Sequence, residues 1–304
     1  MQLHIRRKYP FYAPVGGVVP AVVAVLLWSL APVLAELARA VPPFQLTAMV
    51  AGTATLATWP VGRVVGRRDG DPVAIPARIW LAGPLLVLGA IGFYFVALRL
   101  APAAEAALVT YTWPVLFVVA AELIQVRRVH INSLAGTIVA FSGAALVLLE
   151  PSGPAGEPAW GGYAFAFASG TCWAAFSLLA RQQPVPLSGI MSRLFGLATL
   201  WALAGHLLFE ETLWTIAAGE IASVVFIGFG PYGLSFVAWD TALRRGRSAT
   251  VGTLAYAVPV LSALLLIAAG MASVDWRLGA AAVAVVAGCA LASRRRPEAT
   301  AATA

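Results

Sequence analysis

The sequence predicts an all-α integral membrane protein in which ten transmembrane helices form two inverted five-helix repeats. Three observations lead there. Of the 304 residues, 61% are hydrophobic and 11% charged, with a mean hydropathy of +0.86, whereas about a quarter of a water-soluble globule is charged. Ten apolar segments approach the ~20 residues a helix needs to cross the hydrocarbon core. A pattern of aromatic, proline and small residues also returns after a constant displacement of 145 positions.

Residues 1–17, with Arg6, Arg7 and Lys8, read as a cytoplasmic N-terminal segment. A basic run ahead of an apolar one has the shape of a secretory leader. Trp28 within that run returns as Trp173, however, so the segment is expected to be retained as the first span, Val18–Ala38. The next spans are predicted at Phe44–Val64, Arg78–Leu98, Ala101–Ile124 and Ile131–Glu150, which makes 18–150 the first repeat. The Pro- and Gly-rich run Pro151 to Pro158 breaks helices and marks a periplasmic linker over 151–159. The second repeat, 160–293, holds Trp160–Arg181, Leu187–Phe209, Ile221–Leu243, Ala249–Met271 and Trp276–Ala292, and 294–304 is a cytoplasmic tail. The fifth and tenth spans carry small residues at fours, Gly136, Ala140 and Ala144 against Ala284, Gly288 and Ala292. Such stripes let helices approach closely in lipid, each against its own half or against a second copy.

Orientation follows from the cations. Seventeen of the 20 Lys and Arg fall to one side of the ten spans; Arg39, Arg99 and Arg277 fall to the other. The positive-inside rule then places both termini in the cytoplasm. The net charge of +7 therefore describes loops and does not point to nucleic acid. Five spans per half is odd, so the halves enter the membrane from opposite sides, an arrangement that in secondary carriers puts the substrate site near the midplane between them. At the 145 displacement Tyr111 meets Tyr256, Pro114-Val115-Leu116 meets Pro259-Val260-Leu261, and Arg99, expected outside, meets Arg244, expected inside.

Tryptophan and tyrosine in membrane proteins gather at the headgroups, and Trp59, Trp80, Trp160, Trp214 and Trp276 fit as anchors. Trp28, Tyr111, Trp113, Trp173 and Tyr256 do not, since their polar atoms lie at bilayer depth and want a partner or a wet cavity. They either pack helices together or, with Phe176, line a substrate cavity. Tyr94 and Trp239, paired by the repeat near opposite mouths, are candidate gates or plain interfacial aromatics. Pro114 and Pro259 each remove a backbone donor and are candidate hinges, or else fixed kinks. Glu36, Glu105, Glu122 and Asp240 all lie near span ends, so no central carboxylate is available to hold a coupling ion, which favours downhill transport over ion coupling. His4, His130 and His206 are scattered, Cys172 and Cys289 sit singly in apolar segments, and no glycine-rich nucleotide loop occurs. Neither a metal, a cofactor nor enzyme chemistry is expected. A polar groove for lipid scrambling and a soluble domain for a scaffold or sensor are not discernible either.

With these residues in view, the Pro-Val-Leu runs of spans four and nine and the tryptophans of spans one and six resemble the drug/metabolite transporter superfamily, in its EamA-type ten-helix branch. Tyr111-Thr112-Trp113-Pro114, Cys172-Trp173-Ala174-Ala175 and Ala238-Trp239 resemble its aromatic amino acid exporters. That resemblance implies an inner-membrane exporter of aromatic amino acids and related amphipathic metabolites, with a central cavity between the halves and no cofactor; the sequence leaves monomer and homodimer both open. Broader metabolite, drug or nucleotide-sugar carriers share the fold. Many members have a glutamate about thirteen residues after each proline; here Arg127 and Ala272 stand there, and no role is carried over.

Overall fold

The computed structural model describes residues 16–68, 75–148, 159–268, 270 and 274–294. Most of the N-terminal segment, the joint over 151–158, Ala272 and the tail from Arg295 onward lie outside the described residues. In chain order the helices are α1 (Val18–Ser29), α2 (Ala31–Leu37), α3 (Pro43–Arg68), α4 (Ala77–Leu100), α5 (Ala103–Thr110), α6 (Trp113–Val126) and α7 (Ile131–Leu148). The second half holds α8 (Trp160–Gln182), α9 (Met191–Phe209), α10 (Ala218–Ile227), α11 (Ser235–Arg245), α12 (Ser248–Leu254), α13 (Ala257–Ala268) and α14 (Trp276–Ser293).

Consecutive short helices join into single rods, α1 with α2, α5 with α6, α10 with α11 and α12 with α13. Nine rods among the described residues are long and apolar enough to cross a membrane. The tenth, α3, runs for 26 residues, about 39 Å at the α-helical rise. It continues a turn past the predicted end at Val64, so Trp59 is not at its terminus; the Arg63 guanidinium stacks 3.8 Å over the Trp59 ring instead. The seventh span starts later than predicted, at Met191, after a 3-10 turn over Leu187–Gly189. Pro184 and Pro186 hold that entry extended, as the φ of −61° and ψ of 129° at Pro186 show.

Contacts between the halves are antiparallel where inversion requires it. A Cβ on Gly136, early in α7, would meet Ala292 N, late in α14, at 2.5 Å, and one on Gly143, later in α7, would meet Ala284 Cβ at 2.7 Å. The small-residue stripes of spans five and ten are thus used against each other, within one chain. In the second cross-half pair, α3 with α9, Gly62 lies against Gly189 O at the start of α9 and Phe44 against Gly205 near its end. The Glu210 carboxylate, just after α9, accepts the backbone N–H groups of Phe44 and Gln45 at 2.8 and 3.0 Å. It thereby caps the positive end of α3.

The two halves also repeat at the level of single bonds. Arg99 donates through Nη2 to Val41 O at 2.7 Å, tying the end of span three to the loop between spans one and two. Its counterpart Arg244 donates through Nη2 to Val185 O in the loop between spans six and seven. Arg244 also donates to Gln183 O at 3.3 Å, and a further difference separates the two. Four residues before Arg244 stands Asp240, 2% exposed, which accepts Ser188 N–H at 3.0 Å and lies 3.5 Å from Arg244 Nε; four residues before Arg99 stands Phe95. Removing Arg244 strands a buried carboxylate, a loss of about 3–5 kcal/mol, whereas removing Arg99 costs about 1–3 kcal/mol for a charged hydrogen bond. Arg244→Met is therefore expected to lower the melting temperature more than Arg99→Met, and Asp240→Asn added to Arg244→Met should recover part of the loss.

Candidate functional site

Near the middle of their length, spans four and nine are broken just ahead of a proline. Between α5 and α6 the break falls on Tyr111 and Thr112, and between α12 and α13 on Ala255 and Tyr256. Pro114 and Pro259 cannot donate to the preceding turn, and both breaks lie just before them. Span one is broken at Leu30, ahead of Pro32, while its counterpart α8 is continuous. Span eight contains a further break that sequence reasoning missed, a π-helical turn over Gly228–Leu234 around Pro231. The cluster Gly228, Gly230, Pro231 and Gly233 was the available signal. A Cβ on Gly228 would lie 2.5 Å from Val50 O, so only glycine lets span eight close on α3 there.

These breaks surround an aromatic cluster. Trp28, Trp113, Trp173 and Trp239, two from each half, are all mutual neighbours, with ring centroids 5.0 to 6.4 Å apart. Most of these pairs meet edge to face, the geometry that the ring quadrupole favours. Phe176 stacks on Trp173 at 5.7 Å, and Phe236 and Phe117, which the sequence reading did not single out, complete the wall. Trp239 Nε1 donates to Ser177 Oγ at 3.0 Å, which satisfies the N–H of an indole that is 1% exposed. Trp239, expected at the inner mouth, thus stands in the central cluster with Trp28 and Trp113, and Tyr94 is not beside it. Tyr94 instead packs on Phe95, which meets Tyr232.

The two predicted tyrosines form a second, adjoining group. Tyr111 and Tyr256 rings are 6.5 Å apart, and Phe141 packs on Tyr256 at 5.8 Å. Of the residues expected to line a wet pocket, Trp113, Trp173, Phe176 and Tyr256 are all less than a tenth exposed. In this conformation the rings fill the middle of the molecule. An apolar cleft of about 440 Å³ lies beside them, between span one (Leu27, Leu34), the π turn (Phe229, Pro231) and Leu265. Among the described residues no group of His, Cys, Asp and Glu could hold a metal ion. Glu122 and Asp240, the carboxylates buried toward span ends, are occupied by structural partners: Glu122 accepts from Ser133 Oγ at 2.5 Å and from His130 N at 2.8 Å. An aromatic centre free of ionised side chains is suited to holding a flat apolar group while the polar remainder is bound by backbone and hydroxyls.

The comparisons with known proteins agree with this arrangement. The family model for EamA-like transporters matches residues 15–149. A curated relative from Ancylobacter novellus, the aromatic amino acid exporter YddG, is 36% identical over 280 residues, covering 89% of this chain and 94% of its own. The protein of the same name from Salmonella typhimurium is 27% identical over 241 residues, covering 73% of this chain and 80% of its own. A solved crystal structure, 32% identical, superposes with a TM-score of 0.79 over 92% of this chain and 98% of that one. With its ten rods, inverted halves and central aromatic cluster, the chain is a multi-pass membrane transporter of small molecules and belongs to the EamA-like transporter family.

Proposed function

We propose that this protein exports aromatic amino acids and similar amphipathic metabolites by alternating access, as a facilitated carrier of the bacterial inner membrane with both termini in the cytoplasm. The observation that carries this reading is the convergence of four indoles, two from each half, on one point. Any motion that parts the halves parts these rings and offers their faces to an aromatic side chain, whose ring can replace the lost ring contacts. The breaks before Pro114 and Pro259 are the hinges of that motion. The 36% identical relative named as an aromatic amino acid exporter supports the same substrate class. We place the division between repeats at the joint over 151–159. The monomer is the working unit, since the small-residue stripes of spans five and ten already serve an internal contact.

The buried carboxylates are engaged structurally, so free energy comes from the substrate gradient. Proteoliposomes loaded with labelled tryptophan or phenylalanine are expected to show saturable downhill flux that an excess of either competes and that collapse of the proton gradient leaves unchanged. Flux that vanishes with the proton gradient while the substrate gradient stands would replace the facilitated mechanism with a coupled one. An inert vesicle would remove the substrate assignment.

A further inference from the structure

Many hydroxyls in the spans turn back on their own helix. Thr47, Thr53, Thr199 and Thr241 each donate to the carbonyl four residues earlier at 2.7 to 2.9 Å, which satisfies a buried O–H without the help of a second helix. Span nine departs from this habit twice, once on each side of its break. Thr253, in α12, lies 3.0 Å from Thr137 Oγ1 of α7. Thr137 gives its own proton to Ser133 O at 2.6 Å, so Thr253 is the donor of that pair. Ser262, in α13, donates to Ser29 O at the end of α1 at 2.9 Å.

Both bonds cross between the halves, and all four residues are buried. A longer contact, 3.4 Å from Gln125 Nε2 to Ser248 Oγ, joins the halves at the first residue of α12. The two anchors differ. Thr137 follows Gly136, where α7 and α14 pack backbone to backbone, so α12 is held to a pair of helices already in close contact. Ser29 follows Trp28 and precedes the break at Leu30, so α13 is held to the end of α1 that carries an indole of the cluster. At the 145 displacement the counterparts of Thr253 and Ser262 are Leu108 and Phe117, and span four lacks the pair. A permanent contact between membrane helices needs only small residues. A hydroxyl adds the means of letting go: it can return to a carbonyl of its own turn, Ala249 O for Thr253 and Val258 O for Ser262, so parting leaves no buried donor unsatisfied.

We propose that Thr253 and Ser262 are positioning residues of transport, paired clamps on the two half-helices of span nine, of which opening to one face releases one and keeps the other. This rests on the export reading above and deepens it. Both clamps are closed in this conformation. With the termini in the cytoplasm, α13 leads from the break to the outside and α12 leads to the cytoplasm. Opening outward swings α13 away from α1, breaks the Ser262 bond and frees the Trp28 end of α1, while Thr253 still holds α12. Opening inward does the reverse. Each bond therefore stabilises the closed form of one face, and its removal shifts the population toward the state open on that face.

The test measures the half-saturation concentration of labelled phenylalanine from each face, in right-side-out and in inverted membrane vesicles, and takes the ratio of the outer value to the inner. Ser262→Ala is expected to lower that ratio by about threefold, the equilibrium factor of one hydroxyl bond between membrane helices, and Thr253→Val to raise it by about the same factor. Ser262→Thr and Thr253→Ser keep the O–H and should hold the wild-type ratio, whereas a role confined to stability would leave the ratio alone in every variant. Ratios that fail to move in opposite senses in the two hydroxyl-free variants, or conservative variants that behave like them, would overturn the clamps. Hydrogen–deuterium exchange of the purified proteins in nanodiscs reads the clamps without substrate: Ser262→Ala should speed exchange in α13 and Thr253→Val in α12. Vesicles without wild-type flux remove the export reading, and exchange then decides alone. Faster exchange of each variant in its own half-helix keeps the clamps, and any other pattern removes them.

Discussion

Trp239→Ala is expected to lower substrate flux at least tenfold and to destabilise the protein by about 3–5 kcal/mol, the cost of emptying a fully packed tryptophan site. The side chain is 1% exposed, touches Trp28, Trp113, Trp173 and Phe117, and is surrounded on every side, so the void has little means of collapsing. Trp239→Phe separates packing from polarity. It keeps a ring in place and loses the bond to Ser177 Oγ, worth about 1 kcal/mol, and should retain most of the flux. Flux assays beside melting curves distinguish the two effects. If Trp239→Ala melts lower but transports at the wild-type rate, the cluster is a packing core and not the route of the substrate.

Gly136→Ala and Gly288→Ala should each reduce the yield of folded protein, with a loss of about 3 kcal/mol at the upper end of ordinary overpacking, and the double variant should not accumulate. A Cβ on Gly136 would sit 2.5 Å from Gly288 O and from Ala292 N; one on Gly288 would sit 2.4 Å from Gly136 O. These are backbone atoms, so no side chain can turn aside, and the helices must separate along the stripe. Gly279→Ala in the same helix is the control, since nothing lies within 4 Å of its Cβ position. There the gain in helix propensity should leave stability unchanged or raise it by up to ~1 kcal/mol. Melting and size-exclusion profiles in detergent read all three.

Much of this architecture was legible because it depends on quantities summed along the chain. The spans follow from length and apolarity, and the repeat that pairs Arg99 with Arg244 is visible as a displacement in the sequence. That the two arginines hold matching loops is its physical image. Tyr111 and Tyr256 were legible as points of helix failure since proline removes a donor wherever it stands. Trp239 was harder. Its counterpart Tyr94 lies in the unbroken α4, and depth alone placed both near the mouths. The π turn at Gly228–Leu234 inserts an extra residue into one turn, and each α-helical residue turns the helix by on the order of 100°. The residues beyond it therefore face elsewhere than their counterparts in the first half.

The small-residue stripes, the central rings and the tyrosine pair illustrate one division. By itself the sequence determined what each segment is: how long, how apolar and where its backbone fails, because these depend on neighbours along the chain. Only the tertiary structure decided which faces meet. It set spans five and ten against each other and drew the four indoles to one point, because such contacts depend on helix rotation and crossing, and these are settled by packing between segments far apart in the chain.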